Sequence, residues 1–309
     1  MRASAWRSIG WAIRRVVKMI AVVLMCLLMV SGLDSLAGTL AGVGNKQKIS
    51  TTHAAVRPAK QALVVFPGYI MPGDVLSAAF SRHLGLDTAM LVAQYADRGL
   101  DMDDFYAQIM VELEKLKPER IRLYGASLGG MCAREFLKRY EQSGMRFGKV
   151  SLILDTAPGS VRNIKRSPVL FWFASWYRGG PISGAIWAFL SQFNDLGVVA
   201  EADADKSLIE EGRRRSAWAG IPALATQANF IDSFPALRPL ELVGVVDRVT
   251  YIHSIDPEED PLVRVEESIA EWNRAFPALM RVKMNDRSGG WHIPLIERPG
   301  EVMRAILAA

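Results

Sequence analysis

Short apolar runs alternate with helical stretches from Gln61 to the C-terminus. Apolar runs of four or five residues bounded by turn-forming residues are typical of buried strands, whereas longer stretches with a 3.6-residue period are typical of helices. The predicted strands are Ala62–Phe66, Ala89–Ala93, Ile121–Tyr124, Val150–Leu154, Val249–Ile252 and Met280–Lys283. The predicted helices are Asp101–Leu116, Leu128–Tyr140, Val263–Ala275 and Glu297–Leu307. This alternation predicts an α/β fold, a mostly parallel sheet flanked by helices.

One interval interrupts the alternation. Between Asp155 and Val249 roughly ninety residues show no clear strand, which is too long for a bare loop in a compact domain. The interval is rich in aromatic residues and then in charge, with Phe171, Trp172, Phe173, Trp176, Tyr177, Trp187, Phe189 and Phe193 followed by the helix-like stretch Ser207–Trp218. We therefore predict an inserted helical cap over residues 157–247. Its aromatic side chains either line an acyl-binding cleft, pack the cap onto the main domain, or touch a membrane surface.

The first 45 residues have the pattern of an export signal or a membrane anchor. Five basic residues precede Asp34, the first acidic residue, and Met19–Leu33 is an uncharged apolar run followed by small residues. This order is typical of a secretory signal peptide, and extension past Asp34 would give a length that spans a bilayer. Cleavage and retention are both open at this point, and both place the following domain outside the cytoplasm. Residues 46–60 lack apolar periodicity and are interpreted as a linker to a domain over 61–309.

Composition narrows the possible partners. The 309 residues are half apolar and 22% charged, which is typical of a globular chain. Much of the net charge of +5 comes from the N-terminal segment, and no basic stripe indicates nucleic-acid binding. Cys26 lies in the apolar run, which leaves Cys132 alone in the body, so the folded domain has no internal disulfide. The sequence does not specify an oligomeric state.

The sharpest chemical signal is a serine between glycines. Gly125-Ala-Ser127-Leu-Gly129 follows the predicted strand Ile121–Tyr124 and opens a predicted helix. A G-x-S-x-G motif in this context is typical of a nucleophile elbow, in which the serine hydroxyl projects from a tight strand-to-helix turn. The motif predicts Ser127 as a nucleophile, with the backbone N–H of Leu128 facing the developing oxyanion.

With this motif the chain resembles the α/β-hydrolase superfamily from about Gln61 to the C-terminus. The resemblance implies an α/β-hydrolase fold with a helical cap inserted after the sixth strand. Leu63–Tyr69 matches the family's strand followed by an oxyanion-hole loop, although Pro67 stands where many relatives have histidine. The resemblance therefore implies Tyr69 as the second backbone donor beside Leu128.

A serine hydroxyl needs a general base, and the chain has four histidines. His292 lies after the last predicted strand and before the last predicted helix, in a stretch that resembles the family's histidine loop, so it is the predicted base. His53 lies in the predicted linker and His83 in a first helical stretch between the first two predicted strands, and both are interpreted as surface or packing residues. His253 ends a strand and is interpreted as structural.

The triad also needs a carboxylate to orient the imidazole. Asp260 and Asp256 both follow the strand Val249–Ile252, and Asp260-Pro-Leu-Val263 resembles the family's D-x-x-V. Asp260 is the first choice, Asp256 the second, and Asp155 at the end of the preceding predicted strand the third. The chain order Ser127, Asp260, His292 is the order that this fold uses.

These residues predict a serine hydrolase that cleaves a carboxylic ester or related acyl bond in a small-molecule or lipid substrate. No H-E-x-x-H, cysteine cluster or G-x-G-x-x-G indicates a metal or an organic cofactor, and the acidic residues of 256–260 are interpreted as a solvated loop. Thioesterase, acyltransferase and peptidase activities use the same triad and stay open, as does a membrane-tethered binding protein without catalysis.

Overall fold

A computed structural model describes most of the chain. It covers residues 2–40, 46–53, 59–96, 99–165, 182, 185, 189, 200–202, 204–218, 221–254, 256–284, 292 and 295–309, and in the first of these ranges the side chains of 17–37.

The centre of the molecule is a seven-stranded sheet with the order β1-β3-β2-β4-β5-β6-β7. Its strands are β1 Lys48–His53, β2 Gln61–Phe66, β3 Thr88–Gln94, β4 Arg120–Ala126, β5 Lys149–Asp155, β6 Arg248–Ser254 and β7 Met280–Met284. β2 to β7 pair in parallel, and β1 pairs antiparallel with β3 at one edge. All six predicted strands are present, each one to three residues longer than its predicted range.

The segment interpreted as a linker contains an edge strand. Lys48 pairs with Gln94 and Ile49 with Ala93, and the strand is held further by a hydrogen bond from Gln94 Nε2 to Ser50 Oγ at 2.9 Å. The run Ile49-Ser-Thr-Thr52 has the β-branched residues that favour strands. Because an edge strand needs little apolar surface, its polar sequence gives no clear apolar pattern. Residues 48–53 therefore belong to the sheet and do not form a free linker.

Helices cover both faces of the sheet. The helices of the described residues are α1 Arg2–Leu40, α2 Gly73–Ser81, α3 Met102–Leu116, α4 Leu128–Ser143, α5 Lys206–Trp218, α6 Ile221–Ser233, α7 Val265–Ala275 and α8 Pro299–Ala308. α3, α4 and α7 bury apolar side chains against one face, and α2 and α8 bury theirs against the other. The four predicted helices correspond to α3, α4, α7 and α8, while α2 ends two residues before His83.

The interval between β5 and β6 carries helices, as the interpretation of a cap requires. The insertion follows the fifth strand along this chain and not the sixth. α5 matches the predicted helix Ser207–Trp218, and its Ile209 packs with Val75 of α2. α6 places Ile231 in the same core as α4. Of the aromatic residues predicted for the cap, Phe189 is described, helical and 59% exposed, and the others lie outside the described residues.

α1 contains an apolar stretch that is long enough to cross a membrane. Val17–Ala37 comprises 21 residues, or roughly 31 Å of helix at ~1.5 Å per residue. Its large apolar side chains are exposed, which is not the pattern of a buried core helix. Near its end Asp34 is only 4% exposed, and its Oδ1 accepts a hydrogen bond from the backbone N–H of Ile182 at 2.8 Å. α1 and the cap segment are therefore in contact.

Candidate active site

Ser127 occupies the turn between β4 and α4. Its φ of 51° and ψ of −118° lie outside the regions that non-glycine residues ordinarily adopt. The turn is held on both sides, because Ser127 N donates to Asp155 O at 2.9 Å and Gly130 N donates to Ser127 O at 2.9 Å. A residue in such a conformation costs about 1–3 kcal/mol and persists only where its surroundings fix it. The backbone of Ser127 thus has the strained form that the motif predicted.

The glycines of the motif allow the strand and helix to approach closely. A Cβ on Gly125 would lie 2.5 Å from the backbone of Gly129 and Gly130. A Cβ on Gly129 would lie 1.9 Å from the carbonyl oxygen of Phe66 at the end of β2. Both distances are shorter than any real Cβ contact, so each position requires glycine. The close approach brings the start of α4 against the end of β2.

A tight turn at the end of β2 lies beside Ser127. A Cβ on Gly68 would be 3.8 Å from the Cβ of Ser127 and 3.5 Å from Ala126 O, and Met71 N donates to Gly68 O at 3.3 Å. We call residues Gly68–Met71 the oxyanion turn. Ile70, its third residue, has a φ of 54°, which type II turns require at this position and usually satisfy with glycine or asparagine.

The two predicted backbone donors lie on either side of this junction. Leu128 is the first residue of α4, so its N–H has no acceptor within the helix. The N-terminus of a helix also favours negative charge. Tyr69 is the second residue of the oxyanion turn, adjacent to Gly68. The structure therefore brings the segments that carry both predicted donors to Ser127.

The cap holds the oxyanion turn from outside. The N–H of Ile70 donates to Gln227 Oε1 at 2.6 Å, and the carbonyl oxygen of Ile70 accepts from Ser216 Oγ at 3.2 Å. Tyr69 Oη donates to the carbonyl oxygen of Leu224 at 2.8 Å. Sequence reasoning missed these contacts because Ser216 and Gln227 lie in α5 and α6, about 150 residues from the turn, and belong to no recognisable motif.

The main domain holds the residue that precedes the oxyanion turn. Tyr95, which follows β3, donates its hydroxyl to the carbonyl oxygen of Pro67 at 2.8 Å. Burial raises the pKa of Tyr95 well above its ordinary value, and the neighbouring Cys132 raises it further. Burial also raises the pKa of the Cys132 thiol to about 12, so neither group ionises near neutral pH. Tyr95 therefore acts here as a neutral donor.

Asp260 and His292 are in direct contact. Nδ1 of His292 lies 2.8 Å from Oδ2 of Asp260, across 32 residues of sequence. The other carboxylate oxygen accepts the backbone N–H groups of Leu262 at 2.8 Å and Val263 at 2.7 Å. Burial alone would raise the pKa of Asp260, whose exposed fraction is 2%, but the imidazole and these backbone donors outweigh it and lower the pKa. The carboxylate is thus held ionised against Nδ1, as an orienting acid must be.

The other two candidate acids have different contacts. Asp256 is exposed and caps the short helical turn Pro257–Glu259 through a hydrogen bond from Glu258 N at 3.0 Å. Asp155 is buried at the end of β5, where its carboxylate accepts from Tyr124 Oη at 2.6 Å and from Thr156 Oγ1 at 3.2 Å. Of the three carboxylates, the structure pairs Asp260 with His292.

The second ring nitrogen of His292 is unpaired among the described residues. Nε2 is buried and has no hydrogen-bond partner within the part of the chain that the structure describes, so it is not hydrogen-bonded to Ser127. Catalytic hydrogen bonds are often long in unliganded enzymes and shorten when substrate binds. A neutral imidazole that donates from Nδ1 to a carboxylate presents Nε2 as an acceptor. This is the state that a general base requires.

The other titratable groups have simpler explanations. His253 is buried in β6 with Nδ1 2.7 Å from the carbonyl oxygen of Ser254, and burial lowers its pKa. Among the described residues, no group of three or more His, Cys, Asp or Glu side chains is arranged to hold a metal ion.

A surface groove of ≈ 440 Å³ lies between α3, α4 and α6 and is lined by Asp103, Arg139 and Phe230 among others. None of the predicted site residues lines it.

Comparison with known proteins finds solved structures with a similar fold. No protein-family model matches the sequence, and no curated protein matches it. A carboxylesterase from Nitrososphaera gargenis matches 85% of this chain and 92% of its own, with a TM-score of 0.56 and 14% identity. An esterase from Exiguobacterium antarcticum matches 85% of this chain and 94% of its own, with a TM-score of 0.54 and 13% identity. The type II thioesterase of the borrelidin biosynthetic cluster matches 84% of this chain and 96% of its own, with a TM-score of 0.54 and 17% identity. These likenesses confirm the predicted α/β-hydrolase fold.

Proposed function

We propose that this chain, which has the α/β-hydrolase fold, is a serine hydrolase that cleaves a carboxylic ester or related acyl bond. Ser127 is the nucleophile, His292 the general base, Asp260 the acid that orients it, and the N–H groups of Leu128 and Tyr69 form the oxyanion hole. The single observation that carries the proposal is the Asp260–His292 contact of 2.8 Å, which leaves the buried Nε2 as the only ring nitrogen for proton transfer.

The first step forms an acyl-enzyme. Nε2 of His292 takes the Ser127 proton as Oγ attacks the carbonyl carbon, and the carbonyl oxygen becomes an oxyanion that accepts from Leu128 and Tyr69. When the tetrahedral intermediate collapses, the imidazolium gives its proton to the leaving alcohol. The Asp260 carboxylate stabilises the imidazolium while it exists. Each oxyanion donor contributes about 3–4 kcal/mol to lowering the barrier.

The second step repeats the sequence with water. His292 takes a proton from the water molecule as its oxygen attacks the acyl carbon, and the new oxyanion uses the same two donors. Collapse expels Ser127 Oγ, which recovers its proton from His292. The products are a carboxylic acid and the alcohol, and the enzyme returns to its starting protonation state.

A serine-directed probe tests the proposal. We expect a fluorophosphonate to label the purified protein and to abolish hydrolysis of short-chain nitrophenyl esters, because an activated serine alone reacts. Ser127→Ala should neither label nor turn over, with an unchanged thermal unfolding midpoint. Ser81→Ala, on a partly exposed serine at the end of α2, is the matched control and should behave like the parent. Turnover by Ser127→Ala at the parent rate would refute the assignment, and absence of labelling in the parent would favour a non-catalytic binding protein.

The acyl class is a separate question. One of the structures with this fold is a type II thioesterase, and a thioester would use the same nucleophile, base and oxyanion donors. A series of oxygen esters and matched thioesters of increasing acyl length, from small soluble esters to lipid acyl esters, distinguishes the two classes. A kcat/KM at least tenfold higher for the thioester at equal acyl length would assign the chain to thioesterases. A kcat/KM that is equal for the two substrates, or higher for the oxygen ester, would support an esterase.

We also propose that α1 anchors the enzyme in a membrane with the hydrolase domain on the extracytoplasmic side. The proposal is supported by the exposed apolar stretch Val17–Ala37 and by the basic residues before it, which favour the cytoplasmic side. If the leader is cleaved, the domain would instead be released as an exported protein.

A further inference from the structure

The oxyanion turn has a conformation that its own sequence disfavours. Ile70 has a φ of 54° at the third position of the turn. A β-branched residue is a clear outlier in this left-handed region, which glycine adopts freely. Without an external restraint, the peptide between Tyr69 and Ile70 would rotate to bring Ile70 back to a negative φ. Something outside the turn must therefore hold this peptide.

The restraint comes from the cap. Gln227, with an exposed fraction of 3%, accepts the N–H of Ile70 through Oε1 at 2.6 Å. Ser216 holds the carbonyl group of the same residue through a hydrogen bond of 3.2 Å. Both backbone polar groups of the strained residue are thus bonded to side chains of α5 and α6. A buried amide positioned on a strained backbone N–H fixes the orientation of that peptide.

We propose that Gln227 is a positioning residue for the oxyanion hole. It holds Ile70 in the left-handed conformation and thereby keeps the N–H of Tyr69, one residue earlier, directed at the oxyanion beside Ser127. This inference rests on the proposed function, because it assigns Gln227 a role in that same site. Gln227 touches no reacting atom, and its effect passes through the turn. The cap therefore contributes to transition-state stabilisation as well as covering the site.

The first test removes the acceptor. In Gln227→Leu we expect kcat to fall about 10- to 100-fold while KM changes less than about threefold, because the oxyanion forms only in the transition state. Complete removal of an oxyanion donor costs about 10²- to 10³-fold, which sets the upper limit. Gln227→Glu retains an oxygen acceptor in the same place and should keep kcat within about fivefold of the parent. Asn229→Leu, an exposed amide on the same helix, is the matched control and should have parent activity.

The second test separates positioning from packing. In the Gln227→Leu background, Ile70→Gly removes the steric cost of the left-handed conformation, so most of the lost kcat should return. Ile70→Ala removes almost the same volume but keeps Cβ, so it should restore distinctly less. A packing defect left by Gln227→Leu would not be repaired by either change. Equal recovery with glycine and alanine, or recovery with neither, would overturn the positioning role.

The outcomes distinguish this inference from the proposed function. If Ser127→Ala is inactive and Gln227→Leu has the kcat of the parent, the positioning role is wrong and the hydrolase assignment stands. If Ser127→Ala retains the parent rate, the proposed function itself fails. Should Gln227→Leu not fold, Ser216→Ala carries the test, because it removes the bond to the Ile70 carbonyl. We expect a loss of about 3- to 10-fold in its kcat, and parent kcat in Ser216→Ala would overturn the inference.

Discussion

Ser127 and Ile70, two of the six described non-glycine residues with positive φ, lie on adjacent turns at the carboxyl end of the sheet. Each is fixed by hydrogen bonds to both of its backbone polar groups. Strained backbone is maintained only where surrounding contacts over-determine it, and such positions concentrate in functional sites. The two strained residues indicate that Ser127, the proposed nucleophile, and the oxyanion turn form one constrained unit.

The assignment of the orienting acid can be tested with two isosteric variants. Asp260→Asn should lower kcat by about 10³- to 10⁴-fold, because the amide no longer fixes the imidazole tautomer or stabilises the imidazolium. Asp256→Asn should remain within about twofold of the parent, because its side chain is exposed and caps a short helical turn. Ester hydrolysis by the two purified variants is the measurement. A severe loss in Asp256→Asn with activity in Asp260→Asn would reverse the assignment.

The low pKa of Asp260 also predicts a pH dependence of stability. Its carboxyl is more acidic in the folded protein than in the unfolded chain, where the pKa is about 3.9. The stabilisation is therefore complete above the unfolded pKa and is lost as pH falls through the lower folded pKa. Urea unfolding of the parent and Asp260→Asn between pH 3 and pH 7, as far as both stay folded, is expected to give a free-energy difference that narrows below about pH 4. A difference that widens in acid would contradict this.

Some residues of the candidate site belong to short sequence patterns, and others do not. Ser127 belongs to a five-residue motif, and Asp260 and His292 each follow a predicted strand in stretches that resemble the loops of a known family, so local signals made them the first-choice candidates. Gln227 could not be predicted in the same way. Its role depends on the path of an inserted cap back to a turn 157 residues earlier, and a single buried glutamine carries no periodicity or motif.

At the scale of elements, the contact between α4 and β2 depends on Gly129. In Gly129→Ala the added methyl group would meet the carbonyl oxygen of Phe66 at 1.9 Å, and backbone on both sides leaves no room to adjust. We expect a loss of about 3 kcal/mol or more in the free energy of unfolding. Gly244→Ala is the control, because no atom lies within 4 Å of its added Cβ. It should change stability by less than about 1 kcal/mol, and equal effects of the two substitutions in denaturant unfolding would contradict the steric argument.

The elements show where apolar pattern is sufficient and where it fails. β2, β3 and β5 are buried on both sides of a parallel sheet, so their apolar runs were visible in the sequence. β1 is an edge strand whose polar residues resemble those of a linker. Its stability comes from pairing with β3 and from the bond between Ile49 N and Gln108 Oε1 at 2.9 Å, neither of which leaves a sequence pattern.

On the scale of the whole molecule, α1 and the domain with the α/β-hydrolase fold are in contact at Asp34. A carboxylate inside an apolar helix is expensive unless it has partners, and here a backbone N–H of the cap segment provides one. Asp34 lies close to the end of the stretch Val17–Ala37, on the side toward the domain. With the basic residues of the first eighteen on the opposite side, this arrangement would put Asp34 at the extracytoplasmic interface.

Retention of α1 predicts how the protein distributes in cells. The full chain should sediment with membranes and resist extraction by alkaline carbonate, because the exposed apolar side chains of Val17–Ala37 need hydrocarbon around them. A chain that begins at residue 46 keeps β1 and the complete sheet, so it should be soluble, with kcat toward a soluble ester within about threefold of the full chain. A chain that begins at residue 59 is the control for the boundary and should be less stable, since β3 becomes an unpaired edge.

The intact mass of the membrane-bound protein decides between the two leader types. A mass that includes residues 1–45 supports the anchor, and a shorter mass in the soluble fraction would establish a cleaved signal.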